Sequence, residues 1–231
     1  MTSSSAWKEA VATVIRQLNS SNKLHDTTVL LVGSVARRAN TPTSDIDVLL
    51  ISPRRLPPVV TPPEVQVFTM TRAQFIQRLR SGDDFPHWAL RYGKVLADDS
   101  QWWKHAMEDT AADAWPSWQR KLDQAEQRLS FAMRLFRVKD YEHAQEECLL
   151  ATRHFARGLL LWNRVFPLSQ PELPGQLREL GCQEAADALD SLVTDSVHPR
   201  TLGKVERLLR EWISELRRRA NVRSVSERRV S

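Results

Sequence analysis

The spacing of apolar residues changes near residue 115, and this change limits the fold more than any other feature of the chain. After it, apolar residues recur every three or four positions up to Ala220, which is typical of amphipathic helices. Before it, helical spacing alternates with short apolar runs rich in β-branched residues, which are typical of strands. The sequence therefore predicts an α+β protein, with a small mixed sheet followed by an antiparallel helical bundle.

Local patterns predict where the elements of each half lie. Strands are predicted at residues 27–32, 46–51, 65–69 and 94–97, and helices at residues 7–18, 72–80 and 85–92. Thr71 and Gln74 are a predicted capping box for the helix at 72–80. In the second half, a helix is predicted to begin with Pro116 in its first position and to end at Phe136. Further helices are predicted at residues 144–162, 183–193 and 201–220, with a loop at Pro167, Pro171 and Pro174.

These patterns divide the chain into three predicted segments. Residues 1–112 form the domain with the sheet, residues 113–220 form the helical bundle, and residues 221–231 form a flexible basic tail. Residues 217–231 hold six arginines and one glutamate, so the net charge of +5 comes from this end of the 231-residue chain. A solvated helix end accounts for such a segment, and contact with RNA, DNA or an acidic protein is the alternative.

Composition excludes several classes of protein. No apolar run approaches the ~18 residues that a membrane-spanning helix needs. The N-terminal residues lack the continuous apolar segment of a secretory signal, so the protein is expected in the cytoplasm without membrane contact. The two cysteines, Cys148 and Cys182, are too few for a disulfide scaffold or a four-thiolate zinc site, and both are predicted in the helical core.

Two short motifs flank the loop between the first two predicted strands. Gly33 and Ser34 close the first strand, and Asp45 and Asp47 open the second. Glycine lets the backbone turn sharply and approach a ligand, and backbone N–H groups after it could bind a phosphate. Because side chains alternate along a strand, the two aspartates are expected to leave the same face while Ile46 enters the core.

Two carboxylates on one face of a strand form a candidate metal site. Mg²⁺ prefers hard oxygen ligands and is commonly held by one or two carboxylates together with substrate phosphates. Asp45 and Asp47 are therefore predicted metal ligands and catalytic residues, with an NTP as the co-substrate. Such an ion favours the attack of a hydroxyl on the α-phosphate and the departure of pyrophosphate. The alternative is an ordinary acidic turn before an exposed strand edge.

The stretch that carries these motifs reads LLVGSVARRANTPTSDIDVLLI. It resembles the signature of the DNA polymerase β-like nucleotidyltransferase superfamily, in which Gly-Ser is followed by Asp, an apolar residue and Asp. The later segment PHWALRYGKVLADD is similar to the end of the minimal nucleotidyltransferases. The resemblance implies that Asp45 and Asp47 hold Mg²⁺. The predicted nucleotide-binding residues within it are Gly33, Ser34, Arg37 and Ser44.

The sequence departs from this family at two positions. Arg38 stands where many relatives have a glycine, which reduces the freedom of the loop and adds positive charge. Gln66 lies on the third predicted strand, where many active relatives place a carboxylate that acts as general base and metal ligand. A neutral amide cannot take the proton of a hydroxyl, and Glu64 is the nearest alternative. The departure at Gln66 therefore concerns catalysis and leaves nucleotide binding in place.

The helical half, which includes RLFRVKDYEHAQEECLLATRHFARGLLL, resembles the HEPN-type domains that accompany these transferases as substrate-binding halves or toxin partners. A plain helical bundle is the alternative, because periodicity alone produces much of this similarity. HEPN ribonucleases carry an Arg and a His at a spacing that Arg137 and His143 reproduce, but a predicted turn separates these two residues. His143 and Glu147 are expected to form a surface pair on the helix rather than a metal site.

These features together predict a cytoplasmic, Mg²⁺-dependent nucleotidyltransferase that moves an NMP from an NTP, with AMP from ATP as the expected case, to a hydroxyl acceptor. The acceptor is left open between a small molecule, a protein and an RNA end, with the helical bundle as its binding half. A homodimer is left open as well, since a bundle often exposes an apolar stripe. The alternative is a catalytically silent nucleotide-binding or regulatory module of the toxin–antitoxin type.

Overall fold

A four-stranded mixed sheet and a set of helices without strands make up the two parts of the chain. The computed structural model describes residues 6–20, 24–40, 44–109, 115–194 and 198–228. Contacts separate two units, Met1–Pro116 and Ser117–Ser231. The first unit contains α1 (Ala6–Ser20), β1 (Thr28–Val32), α2 (Gly33–Ala36), β2 (Ile46–Ser52), β3 (Val65–Thr71), α3 (Arg72–Arg80), α4 (Asp84–Tyr92), β4 (Lys94–Ala97) and α5 (Trp102–Asp109). The second unit contains α6 (Trp118–Arg137), α7 (Tyr141–Trp162), a 3₁₀ turn (Gln170–Glu172), α8 (Leu173–Glu179), α9 (Gln183–Thr194) and α10 (Pro199–Arg228).

The sheet has the strand order β3-β2-β1-β4. Strand β1 is antiparallel to both β2 and β4, whereas β2 and β3 are parallel, so the sheet is mixed as predicted. Every residue of β1 is buried, and every residue of β2 except Asp47 is buried. The two central strands therefore form the core of the first unit, and Asp47 is the point at which β2 opens toward solvent.

Local sequence signals explain how the elements around the sheet begin. Thr71 accepts a hydrogen bond from the N–H of Gln74, and the Gln74 side chain accepts one from the N–H of Thr71, which confirms the predicted capping box. The Asp83 carboxylate accepts a hydrogen bond from the N–H of Phe85 at 3.0 Å and thereby caps α4. Both caps satisfy N–H groups that would otherwise have no partner in the first turn of a helix.

The helical unit is built around α6 and α7. The side chains of both helices that face each other are apolar and buried, among them Leu122, Leu129, Cys148 and Phe155. Only Val138–Asp140 joins the two helices, and so short a connection makes them antiparallel neighbours. The described helices thus agree with the predicted bundle, and the α+β fold class is confirmed.

Several predicted bounds are wrong, each for a local reason. Helix α6 begins at Trp118 rather than at Pro116, because the Ser117 hydroxyl accepts a hydrogen bond from the N–H of Arg120 and caps the helix. Pro174 lies in the first turn of α8, a helix that the sequence analysis assigned to a loop. A proline is tolerated there because first-turn N–H groups have no partner within the helix. Helix α5 was not predicted either.

Two further differences concern the helical unit. Cys148 is buried as predicted, but Cys182 is only partly buried and lies between α8 and α9 rather than inside a helix. Helix α10 extends to Arg228 and thus includes most of the segment that the sequence analysis assigned to a basic tail. No helix among the described residues combines the length and the apolar content needed to cross a membrane.

Candidate active site

The end of β1 brings Gly33 against the Asp47 side chain. Val32 pairs with Asp47 across the antiparallel strands, and Gly33 follows at a φ of +72°, a conformation that side chains with a Cβ rarely adopt. A Cβ placed on Gly33 would lie 2.0 Å from Oδ2 of Asp47. Glycine is therefore required here by its conformation and by the space that the carboxylate occupies.

Asp45 and Asp47 lie on either side of the point where β2 begins. Asp45 precedes the strand and is exposed, Ile46 is 3% exposed, and Asp47 is partly buried. The negative charge of Asp45 contributes to raising the pKa of Asp47, which places the two carboxylates within electrostatic reach of each other. The structure therefore brings the predicted acidic pair together, with Ile46 in the core between them.

The Asp47 carboxyl lies in an environment that disfavours its charge. Burial first, and the neighbouring charge of Asp45 second, raise its pKa from 3.8 to about 6. Within the parts of the chain that the structure describes, no group donates a hydrogen bond to this carboxylate and no cation pairs with it. At neutral pH, none of the described residues thus compensates the negative charge of the Asp47 carboxylate.

These observations test whether the residues present fit Mg²⁺. The donor set consists of carboxylate oxygens, which Mg²⁺ prefers, and the glycine leaves the side of Asp47 free of a Cβ. Among the described residues, no group of three or more His, Cys, Asp or Glu side chains could hold a metal ion. A pair of carboxylates that relies on phosphates and water for the remaining ligands fits both findings.

The other predicted nucleotide-binding residues lie around the same turn. Ser34 is half-buried in α2, and its carbonyl accepts a hydrogen bond from the N–H of Ala39 at 3.0 Å. Arg37 follows the last residue of α2, and its guanidinium lies over the ring of Tyr92, with Cζ 5.5 Å from the ring centroid. Ser44 is half-buried directly before Asp45. The three side chains therefore precede the acidic pair in the chain, Ser34 and Arg37 before the loop and Ser44 after it.

Arg38 adopts a φ of 59°, in the left-handed region. Residues with a Cβ enter this region at a cost of roughly 1–2 kcal/mol, whereas glycine enters it readily. This is the position at which the resemblance described in the sequence analysis implies a glycine. The loop therefore keeps the backbone conformation that a glycine would favour, with an exposed arginine in its place.

Gln66 lies beside Asp47 in the sheet. The parallel register of β2 and β3 pairs Asp47 with Gln66, and directly paired residues project from the same face. Gln66 is exposed, as is Glu64, which precedes β3 and whose carbonyl accepts a hydrogen bond from the N–H of Ile46 at 2.8 Å. The position next to Asp47 thus carries a neutral amide, where the resemblance implies a carboxylate that acts as general base.

The candidate residues of the helical unit have partners of their own. Nδ1 of His143 lies 2.9 Å from the Asp140 carboxylate, whereas Glu147 accepts a hydrogen bond from Arg128 at 3.1 Å. The expected pair of His143 with Glu147 is therefore wrong. The hydrogen bond to Asp140 raises the pKa of His143 and lowers that of Asp140, and both side chains are exposed. This pair caps α7 and forms an ordinary surface interaction.

The helical unit also contains a cavity of about 410 Å³. Its apolar wall includes Phe155 and Trp212, whose rings stack with centroids 5.5 Å apart and an interplanar angle of 22°. Cys182 and Arg219 line it as well, and burial raises the pKa of the Cys182 thiol. Cavities of this size and character hold small molecules in many proteins. Sequence reasoning missed it, because helices distant in the chain form it.

Comparison with known proteins gives a family match, within the first unit, and a similar solved structure. Residues 11–84 match a family model described as "Nucleotidyltransferase domain". No curated protein matches the chain. Among solved structures, a nucleotidyltransferase-like protein from Exiguobacterium sibiricum is similar, with 14% identity, a TM-score of 0.45, and coverage of 90% of this chain and 74% of the other. The matched segment contains Gly33, Asp45 and Asp47, so the acidic site lies within the part of the chain that is similar to this family model.

Proposed function

We propose that the chain is a Mg²⁺-dependent nucleotidyltransferase that moves AMP from ATP to a hydroxyl acceptor. The observation that carries the proposal is the contact of Gly33 with the uncompensated carboxylate of Asp47, beside Asp45. Two adjacent carboxylates favour a ligand that brings positive charge when no cationic side chain among the described residues pairs with them. The missing Cβ of Gly33 leaves room for the Asp47 carboxylate at this turn, and Mg²⁺ with a triphosphate supplies the positive charge that the pair lacks.

Each residue of the site has a distinct role in this proposal. Asp45 and Asp47 would hold the ion, which, when bound, supplies positive charge to the phosphates and to the departing pyrophosphate. The turn at Gly33 and Ser34 receives the triphosphate with backbone N–H groups and a hydroxyl. Arg37 adds a cation to that turn and stabilises the negative charge that increases on the phosphates during transfer.

Gln66 supports a second candidate function. Its amide cannot accept the proton of an attacking hydroxyl, and its position next to Asp47 leaves that role unfilled. A protein with this arrangement would bind the nucleotide and release pyrophosphate slowly or not at all. The second candidate is therefore a nucleotide-binding regulatory module that lacks significant transferase activity.

Calorimetry of the full chain with ATP and Mg²⁺ tests the shared part of both candidates. We expect Mg²⁺-dependent binding that the double change Asp45→Asn with Asp47→Asn abolishes. The matched control is Asp187→Asn with Asp190→Asn, an equal change of charge on α9 that should leave binding unaltered. Absence of Mg²⁺-dependent binding, or equal binding by the two double variants, would contradict the proposal.

Release of pyrophosphate separates the two candidates. We expect slow release from ATP in the presence of a suitable acceptor and a faster rate in Gln66→Asp, which restores a carboxylate beside Asp47. If neither the parent nor Gln66→Asp releases pyrophosphate with small-molecule, protein and RNA acceptors, the regulatory module is favoured. Gln66→Glu tests the same position with a longer side chain.

In this proposal the helical unit binds the acceptor, because its cavity would accommodate a small hydroxylated molecule. An RNA end is the alternative, and the basic segment after Asn221 tests it. Arg217 must be retained because it binds Asp123 and Glu126 of α6 at 2.8 and 2.9 Å. Removal of residues 222–231 should weaken RNA binding in a salt-dependent way and leave transfer to a small molecule unchanged.

A further inference from the structure

Tyr92, the last residue of α4, makes a contact that no role above explains. The guanidinium of Arg37 lies over its ring, with Cζ 5.5 Å from the centroid, within the ~6 Å at which a cation and an aromatic ring attract each other. Arg37 belongs to the turn that follows Gly33 and Ser34. The ring therefore touches a cation of the proposed phosphate-binding turn.

The position of Tyr92 is itself determined by its neighbours. Its ring packs on Trp88, which is 6% exposed, with centroids 5.3 Å apart. The N–H of Gly93 donates to the carbonyl of Ala89 at 2.8 Å and ends α4. A Cβ on Gly93 would lie 2.4 Å from that carbonyl oxygen, so the helix ends here only with a glycine.

The strand that follows connects this helix end to the site. Lys94 begins β4 and pairs with Leu31 of β1, two residues before Gly33. The register of β1 and β4 therefore places the end of α4 near the end of β1, where the turn with Arg37 begins. Tyr92 reaches Arg37 because the pairing of β1 with β4 sets both ends of the contact.

We propose that Tyr92 is a positioning residue that holds the Arg37 guanidinium ready for the phosphates of the nucleotide. The inference rests on the proposed function. A free arginine side chain samples many rotamers and loses them when it binds an anion. A ring that already restricts Arg37 reduces this entropic loss and so strengthens binding.

Arg91 provides a matched control at the same ring. Its Cζ lies 5.9 Å from the centroid of Tyr92, so it makes a similar cation–ring contact. Arg91 is exposed on α4 and does not belong to the turn after Gly33. Removal of its charge should therefore leave the affinity for Mg²⁺-ATP within about twofold, if only the contact with Arg37 matters.

A double-mutant cycle on Mg²⁺-ATP affinity tests the proposal with the full chain. Tyr92→Leu should weaken binding about fivefold, and Tyr92→Phe, which keeps the ring, should stay within about twofold of the parent. Arg37→Met should weaken binding more, and the addition of Tyr92→Leu to Arg37→Met should then have little further effect. Arg91→Met completes the set.

The outcomes of this cycle separate the positioning role of Tyr92 from the proposed function. Additive effects of Tyr92→Leu and Arg37→Met, or equal losses in Tyr92→Leu and Tyr92→Phe, overturn the positioning role while the proposed function stands. A parent chain that does not bind Mg²⁺-ATP overturns both. If Tyr92→Leu lowers the temperature of unfolding, Tyr92→Gln takes its place in the cycle, and the same criterion of non-additivity applies.

Discussion

Carboxylates have different surroundings in the two units. In the helical unit, Nη1 of Arg128 lies 3.1 Å from both oxygens of Glu147, a side chain that is only 14% exposed. In the first unit, Asp47 is partly buried beside a second carboxylate, and no described cation approaches it. Both are acidic side chains largely withdrawn from water, yet only one has the partner that such burial requires.

The presence or absence of a cationic partner distinguishes a carboxylate that contributes to folding from one that could bind a cationic ligand. A partly buried carboxylate with a cationic partner stabilises the folded state or is neutral to it. One that faces a like charge destabilises the folded state until a cation arrives. The surroundings of Asp47 thus support the proposed binding site, whereas those of Glu147 are accounted for by its ion pair with Arg128 of α6.

The largest expected effect comes from Gly33→Ala. The new Cβ would occupy the space of the Asp47 carboxylate, and the positive φ adds strain, so we expect a loss of at least about 2 kcal/mol in the free energy of unfolding. Binding of Mg²⁺-ATP should be lost as well. Denaturant unfolding and calorimetry measure the two effects.

Gly203→Ala in α10 is the control from the other unit. Apart from the neighbouring backbone of α10, no atom of the described residues lies within 4 Å of a Cβ placed on Gly203, so the change should stabilise the helix by about 0.5–1 kcal/mol. Unaltered stability and binding in Gly33→Ala would show that the contact with Asp47 does not constrain the site.

The next largest effect is on the free energy of unfolding, and it has opposite signs for Asp47→Asn and Glu147→Gln. The folded-state pKa of Asp47, about 6, lies above the ordinary 3.8, so the folded state holds this proton more tightly than the unfolded state. Stability therefore falls as the pH rises from about 4 to about 6. Asp47→Asn should remove this loss and raise the free energy of unfolding at pH 7.5 by about 1 kcal/mol, a figure reduced for solvent screening.

Glu147→Gln should instead lower the free energy of unfolding at pH 7.5 by about 0.5–1 kcal/mol, because it leaves Arg128 without its anion. Denaturant unfolding of both variants at pH 4 and pH 7.5 measures the comparison. The gain of Asp47→Asn should shrink at pH 4, where the carboxyl is protonated in the parent. A loss of stability in Asp47→Asn at pH 7.5 would overturn the contrast.

The smallest effect concerns the surface pair of the helical unit. Because its hydrogen bond to Asp140 raises the pKa of His143, Asp140→Asn should return that pKa toward 6.5, as NMR titration would show. The stability from this pair is present below pH 6.5 and is lost as the pH rises through the raised pKa. Mg²⁺-ATP binding should not change, and a change would link this turn to the site.

Local signals predicted much of the first unit. The helix Arg72–Arg80 and the strand Lys94–Ala97 have the predicted bounds, because a capping box begins the one and Gly93 precedes the other. Helix α8 was missed because a proline in a first turn resembles a loop signal. Helix α5 was missed because it has only 8 residues, too few for a clear periodic pattern, and its Trp102 and Trp103 pack on Phe75.

The sequence indicated which residues could form the candidate site, but it did not indicate which of them contact one another. The spacing of Asp45 and Asp47 indicated a common face, since strand side chains alternate. The approach of Gly33 to Asp47 depends on the register of β1 against β2, and the pairing with Gln66 depends on the register of β2 against β3. Register follows from packing across the whole sheet, which residue order alone does not reveal.

Asp47 belongs to a strand with hydrogen-bonded neighbours on both sides. Displacing it would require rearrangement of three strands, so its location should tolerate little adjustment among natural variants. The segment 53–64 leaves the ladder and could change in length without disturbing it. Diversity among proteins of this fold should therefore arise by insertion and substitution in this segment, around an anchor that stays in place.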